Sequence, residues 1–360
     1  MKHTRRKIIL SIIITVIVIF VSATGAYALS IVSNFNHNEI SQNDEDLGIT
    51  QDDGANDITN IALFGVDTRE EEFSGNSDSI MIISIDKQHN KVKLISILRD
   101  SLVDVDGYGK TKITEAYGLG GPVLAINTIN RNFNLNIRDY ATINFAGMAQ
   151  IIDAVGGVTI DVSQAEINML NQLATQEADQ LGMPRPPKIT QPGPQTLNGL
   201  QAVGYSRIRK IDNDNGSYGD FGRTDRQREV MEQLFEKAIA MSPTQYPSFI
   251  QKVLPYLETS LDMDEILELA TILTRDNVAF EQTRVPMEEY TINPGYNYNG
   301  KSTVYYNLDF AADIIHAFIY DDIPQEVYLQ THEIPMTGSL GEDSETTSSN
   351  TQTAAKPKKQ

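Results

Sequence analysis

Residues 8–32 contain no charged side chain, are mostly Ile, Val, Leu and Ala, and follow the basic residues Lys2, Arg5, Arg6 and Lys7. As a helix, such a run is long enough for a hydrocarbon core of roughly 30 Å, and its basic end is expected to stay in the cytoplasm. The predicted organisation is therefore a basic cytoplasmic head over 1–7 and a transmembrane signal anchor over 8–32, with everything beyond on the outer side. This corresponds to a single-pass cell-membrane protein with an extracellular C-terminal domain. Ala26-Tyr27-Ala28 offers an A-x-A-like cleavage site. The apolar run continues past it to Ile31 and Val32, which favours an uncleaved anchor; either reading exports the rest of the chain.

The flanks of the remaining chain are polar. Residues 33–56 carry Glu39, Asp44, Glu45, Asp46, Asp52 and Asp53 with few large apolar residues, the pattern of an acidic solvated linker. Residues 331–360 become rich in Ser, Thr and Gly and close on Lys356, Lys358 and Lys359, the pattern of a disordered tail. Between them, 57–330 is expected to form one domain. The chain has no cysteine and a net charge of −19. The first excludes disulfide frameworks, thiol nucleophiles and Cys-type zinc sites, and the second argues against nucleic acid as a partner. The five histidines show no metal-ligand spacing.

Periodicity within 57–330 is that of an α/β fold. Short β-rich runs at 60–66, 80–85 and 91–97 are followed by a helical pattern from Pro122 to about Asn132. A strand at 140–145, a helix at 146–155 ending at Gly156-Gly157 and a strand at 158–162 come next. Helical patterns return at 197–206, 225–240 and 262–273.

Two sets of residues stand out as chemically equipped. Asp67, in Gly65-Val66-Asp67-Thr68-Arg69, and Asp78, in Gly75-Asn76-Ser77-Asp78-Ser79, lie at or near strand ends beside glycine and hydroxyl residues. Such carboxylates can hold Mg²⁺, which prefers carboxylate, water and phosphate oxygens, although an Asp after a strand also serves as a turn or cap residue. The second set is cationic: Arg99, Arg207, Arg209, Lys210, Arg223, Arg226 and Arg228. In a net-acidic protein a cluster of arginines points to a bound anion, because the guanidinium fork grips phosphate oxygens bidentately. In Tyr205-Ser206-Arg207-Ile208-Arg209, alternate arginines on an extended segment would point the same way; Arg228 reads as a solvated ion-pair residue. Ser84-Ile85-Asp86-Lys87 matches S-x-x-K, but in a strand-to-turn context that cannot set Lys beside Ser as a helix does.

At these residues the sequence resembles the LytR-CpsA-Psr family, enzymes that attach wall teichoic acid, capsule or similar glycopolymers to peptidoglycan in Gram-positive-type bacteria. The resemblance is carried in order by 62–69, 77–81, 95–100, 151–158, 197–199, 205–209 and Gly219-Asp220-Phe221-Gly222-Arg223-Thr224-Asp225-Arg226-Gln227. It implies a mixed central sheet flanked by helices, with an apolar pocket for a polyprenyl chain. It further implies that Asp67 and Asp78 bind Mg²⁺, that Asp67, Asp78 and Arg99 are catalytic, and that Arg99, Arg207, Arg209, Arg223 and Gln227 contact the lipid pyrophosphate. Two departures are Asn76, where the family usually has Arg, and Leu98, where it usually has Pro.

The expected function is an Mg-dependent phosphotransferase that moves a glycopolymer from a polyprenyl-pyrophosphate carrier to a peptidoglycan sugar hydroxyl and releases polyprenyl phosphate. The expected partners are the lipid-linked donor, peptidoglycan and the cytoplasmic membrane. The alternative is an envelope protein that binds polyprenyl phosphate or regulates without turnover. The Asp67/Asp78 pair favours the enzyme, because capture alone needs no placed metal.

Overall fold

The computed structural model describes residues 36–50, 58–68, 73–212, 216–272, 275, 277–335 and 337. In chain order they form β1 (Asn36–His37), α1 (Asp44–Leu47), β2 (Ile58–Val66), β3 (Ser77–Asp86), β4 (Lys91–Ile97), β5 (Leu102–Val105) and β6 (Gly109–Lys112). Next come α2 (Ile113–Phe133), β7 (Asp139–Asn144), α3 (Phe145–Ala154), β8 (Val158–Val162), α4 (Ile167–Gln180), β9 (Gly193–Leu197), α5 (Gly199–Ser206) and α6 (Gly219–Ile239). The C-terminal part contributes α7 (Tyr246–Val253), β10 (Leu257–Thr259), α8 (Met263–Ile272), β11 (Ala279–Val285), β12 (Thr291–Tyr298), β13 (Lys301–Tyr306), α9 (Leu308–Tyr320) and α10 (Gln325–Thr331).

The central sheet runs β1-β10-β7-β2-β3-β4-β11. It is mixed, since β2 pairs parallel to β7 but antiparallel to β3, and β4 pairs antiparallel to β3 but parallel to β11. Side chains alternate across a strand, so each strand serves two layers. Ala62, Phe64, Val66, Ile80, Ile82, Ile95 and Ile97 face the larger core, which is closed by Ile126, Ile129 and Phe133 of α2 and by Ile314, Ile315 and Phe318 of α9. Leu63, Gly65, Ser79, Met81, Ala141 and Ile143 belong to the opposite face. That face is roofed by α3, α5 and α6.

The roof depends on close helix contacts. Gly199, at the start of α5, sits so near α3 that a Cβ there would lie 2.0 Å from the Ala149 carbonyl oxygen. Asn198 caps the same helix in a capping box with Gln201. The predicted strands and helices are present, with boundary shifts of physical interest. The helix expected from Pro122 begins at Ile113 and bends at Gly120-Gly121, whose backbone is non-helical, so Pro122 starts its second half. The helix expected from Asp225 begins at Gly219, which brings Asp220 and Arg223 onto it.

Two expectations about the flanks need correction. The first is the N-terminal membrane helix, and with it the single-pass cell-membrane localisation. Among the described residues no helix is long and apolar enough to cross a membrane, and 8–32 lie outside them. The longest described helices have the length but not the character, since α2 is broken at Gly120-Gly121 and α6 is densely charged. Among the described residues the fold class is thus a mixed α/β domain, with no helix able to cross a membrane. The second correction concerns 36–50, read as part of a solvated linker. Asn36–His37 adds to the sheet beside β10, and Leu47 is fully buried, its carbonyl accepting from Asn130 Nδ2 at 2.9 Å. The acidic residues face outward while one leucine docks.

Gly199→Ala is expected to lower unfolding free energy by about 2 kcal/mol or more, since the added methyl meets backbone that cannot rotate away. Urea unfolding checks this, and a stability equal to wild type would disprove the close helix crossing.

Candidate functional site

The site forms where strand ends of the central sheet meet the N-terminus of α6. Val66 pairs with Ser77 and Gly65 with Ser79, so Asp78 is the extra residue of a β-bulge, a device that re-aims a side chain at a sheet rim. Asp67 directly follows β2. Gly65 must stay small, because a Cβ there would fall 2.9 Å from Ser79 Cβ. On α6, Asp220, Arg223 and Gln227 follow at three- and four-residue steps and share one face.

Asp67, Asp78, Arg207, Arg209, Arg223 and Gln227 line one cavity of about 380 Å³. Lys210 lines it too, so four cations face two carboxylates on the wall of a chain with a net charge of −19. Arg99 stands at the edge of this group, bonded through Nη1 to Asp78 Oδ1. Sequence reasoning gave no role to Asp220, which proves to be the counter-charge of the set. Its Oδ1 lies 2.7 Å from Arg223 Nη2, 3.7 Å from Arg99 Nε and 4.0 Å from Arg209 Nε. Burial pushes its carboxyl up to about 6 although Arg99 pulls the other way. Burial, with Arg99 as neighbour, lowers the Arg209 guanidinium, whereas Asp78, Asp220 and Asp100 outweigh burial and raise that of Arg99. Arg99 Nε, Arg223 Nε and Asp220 Oδ2 are buried without a hydrogen-bond partner. Two of these are donors, which a bound oxyanion could satisfy.

The alternate-arginine clamp takes a different form from the one expected. Arg207 is the helical C-cap residue of α5 and not part of an extended segment. It bonds Glu177, a fully buried carboxylate on α4, and lies over the Phe145 ring at 5.0 Å. Arg209 alone of the pair reaches toward Asp220. Arg226 does not line the cavity: it is buried, bonding Glu166 at 2.8 Å and the carbonyls of Ile208 and Ile211. Arg228 pairs with Asp225 at 2.7 Å, so the ion pair is present, but the two side chains are 20% and 11% exposed and the pair is not solvated. Glu177 was not singled out from sequence, since a lone Glu on a polar helix carries no signal that it will be buried.

A second cavity, of about 180 Å³ and mostly apolar, lies between the sheet and its roof. Leu63, Met81, Ala141 and Ile143 form its floor, with Met148, Val203, Val230 and Leu234 above them. Phe145 and Gln227 line both cavities. The cavities therefore share a wall, one side charged and the other apolar. Leu98, where a proline was the family expectation, is buried, and its N–H donates to the Val285 carbonyl at 2.9 Å. That bond, which a proline could not make, anchors the chain before Arg99. Asn76 is exposed and does not line the charged cavity.

Among the described residues, no group of three or more His, Asp or Glu side chains is placed to hold a metal. Mg²⁺ is commonly held by one or two carboxylates with substrate phosphates and water completing its shell. Asp67 and Asp78 both line the cation-rich cavity, with Asp78 Oδ1 engaged by Arg99.

Asp220 also yields a stability prediction. With its carboxyl raised to about 6 from 3.8, the folded chain keeps a proton that the unfolded chain releases, so stability falls as pH rises through that window. Between pH 4 and 7, wild type is expected to lose stability relative to Asp220→Asn by an amount on the order of 3 kcal/mol, at about 1.4 kcal/mol for each pH unit between the two values. Parallel pH profiles in denaturant titrations would contradict it.

The LytR_cpsA_psr family model matches residues 24–310. The polyisoprenyl-teichoic acid–peptidoglycan teichoic acid transferase TagU of Oceanobacillus iheyensis is 37% identical over 222 residues, 60% of this chain and 62% of that protein. Biofilm regulatory protein A of Streptococcus mutans is 32% identical over 275 residues, 71% of this chain and 64% of that protein. The chain thus spans less than two thirds of the length of these two relatives. The solved structure of the LytR-CPS2A-psr family protein YwtF (TagT) with bound octaprenyl pyrophosphate lipid has a TM-score of 0.55 at 19% identity, covering 79% of this chain and 99% of that one, a likeness of fold. The matched range contains every cavity residue named above, and this chain belongs to the LytR-CpsA-Psr family.

Proposed function

We propose that this chain is a phosphotransferase that moves a phosphate-linked glycopolymer from a polyprenyl-pyrophosphate carrier to a sugar hydroxyl of peptidoglycan. The observation that carries the reading is the shared wall of the two cavities. A hydrocarbon tail ending in phosphates needs an apolar slot that opens onto cations, and Phe145 and Gln227 stand at such a junction. The name of TagU and the lipid seen on TagT belong to those proteins; kinship with them supports the same donor class here.

In the reaction, the acceptor hydroxyl oxygen bonds to the glycan-side phosphorus of the donor. The bond from that phosphorus to the bridging oxygen breaks, and polyprenyl phosphate leaves with the electron pair. The hydroxyl proton passes to Asp78, on the wall of the same cavity. Arg99 is held by Asp78 and Arg223 by Asp220 before substrate arrives, so their charge meets that developing on the pyrophosphate with little reorganisation, while Arg209 lies more open at 4.0 Å from Asp220. Asp67 and Asp78 would hold Mg²⁺, which when bound supplies further neutralisation of the phosphates. Phosphoanhydride cleavage drives the transfer, so no nucleotide is required.

The full chain, given a defined lipid-linked donor, peptidoglycan and Mg²⁺, is expected to join polymer to glycan and release polyprenyl phosphate. Arg209→Lys keeps the charge but loses the planar fork, and should slow transfer by roughly a hundredfold. Arg228→Lys, in a largely buried ion pair with Asp225 outside the charged cavity, should change transfer far less than Arg209→Lys. Asp67→Ala and Asp78→Ala should abolish transfer, and chelation should do so reversibly; transfer that survives chelation removes the metal. Donor binding without any product would instead establish a binding or regulatory protein.

A further inference from the structure

The hairpin of β12 and β13 takes no part in the site described above. Its tip is Asn299-Gly300, both at positive φ, the turn chemistry that suits a two-residue connection. Tyr296 stands opposite Thr303, and its ring stacks on Tyr305 with centroids 5.0 Å apart and planes 29° apart. The two rings make a platform, with Tyr296 37% exposed. Thr303 is buried, its hydroxyl donating to the Tyr296 carbonyl at 2.9 Å. Exposed Asn293 stands opposite Tyr305, its Oδ1 accepting from Gly295 N–H at 2.9 Å, while Asn297, on the opposite face, accepts from Gly300 N–H at the tip at 2.9 Å.

Charge defines what such a surface can take. In a chain with 48 acidic residues, Thr291–Tyr306 has none, and its single cation, Lys301, is tied to Glu115 at 2.6 and 2.8 Å. The surface is aromatic, amide-rich and uncharged, which suits neither a phosphate nor an anionic bilayer. Tyrosine faces with adjacent amides suit the apolar faces and hydroxyls of sugar rings. The hairpin is also continuous with the site. Val304 N–H donates to the Asp100 carbonyl at 2.7 Å, Ser101 bridges Val304, and Tyr306 Oη donates to Ser101 Oγ at 2.9 Å, so the strand is bolted to the loop that carries Arg99.

We propose that the Tyr296/Tyr305 face of this hairpin binds the glycan strand of the acceptor. The choice of a wall glycan as occupant rests on the transferase reading. Binding of a neutral β-1,4-linked N-acetylglucosamine oligomer tests it on the full chain, by equilibrium dialysis of a labelled hexamer. Saturable binding is expected, weakened roughly tenfold by Tyr296→Ala and by Tyr305→Ala, and nearly retained by Tyr296→Phe, which keeps the ring. In transfer assays the alanine variants should raise the acceptor KM and leave donor affinity unchanged. The proposal is overturned if wild type does not bind the hexamer or if the alanine variants bind it equally. It is also overturned if those substitutions instead abolish co-sedimentation with phosphatidylcholine or phosphatidylglycerol vesicles. Tyrosine-dependent glycan binding in a chain that never transfers polymer would sink the transferase reading alone.

Discussion

Burial of Asp220 among Arg99, Arg209 and Arg223 is the constraint on which the charged cavity depends. Guanidinium groups crowded near one another repel, and without a common counter-ion they would turn toward water. One buried carboxylate pairs directly with Arg223 and lies within 4.0 Å of Arg99 and Arg209, and Asp78 adds a direct bond to Arg99. Burial raises the proton affinity of this carboxylate, and Arg99 and Arg209 offset part of that rise. On the proposed reading, an arriving pyrophosphate would meet a field that already exists, and little of its binding energy would go to arranging side chains.

The sheet turns that field into an amphiphile site. Alternation along β2, β3 and β7 sends one set of side chains to the large core and leaves the other to floor an apolar cavity. The strand ends deliver Asp67 and Asp78 to the rim of the same floor. Helix α6 spans both regions: Asp220 and Arg223 occupy its first turns, Gln227 the junction, and Val230 and Leu234 the apolar roof. The cavity-facing stripe of this one helix thus changes from charged to apolar along its length, as the proposed donor does. The close approach at Gly199 keeps α5 and α3 near enough to close the roof.

Much of this was legible in the sequence because it is local. Strands such as Lys91–Ile97 and Val158–Val162 follow their periodicity to the residue, and the motif order assembled Asp67, Asp78, Arg207, Arg209, Arg223 and Gln227 into one cavity. What sequence could not show was partnership. Arg207 looked like half of a clamp, yet a carboxylate about one turn before the end of α4, distant in sequence, claims it. Arg226 looked equal to Arg223 but points into the core toward Glu166. Asp220 lay inside a quoted motif without a role, because a hub is defined by what packs around it. The segment 36–50 misled for the same reason: its acidity predicts solvation, while one leucine in four helical residues decides where it docks.

The central claim is that one donor occupies both cavities across their shared wall. A polyprenyl pyrophosphate carrying a photoreactive group in its hydrocarbon tail tests it directly, with crosslinked residues mapped by mass spectrometry. Labels are predicted on the apolar cavity, at Met148, Val230, Met231 or Leu234, and inorganic pyrophosphate in excess should reduce them by competing for the arginines. Labels confined to other surfaces, or labelling of the apolar cavity indifferent to pyrophosphate, would contradict a single site spanning the wall.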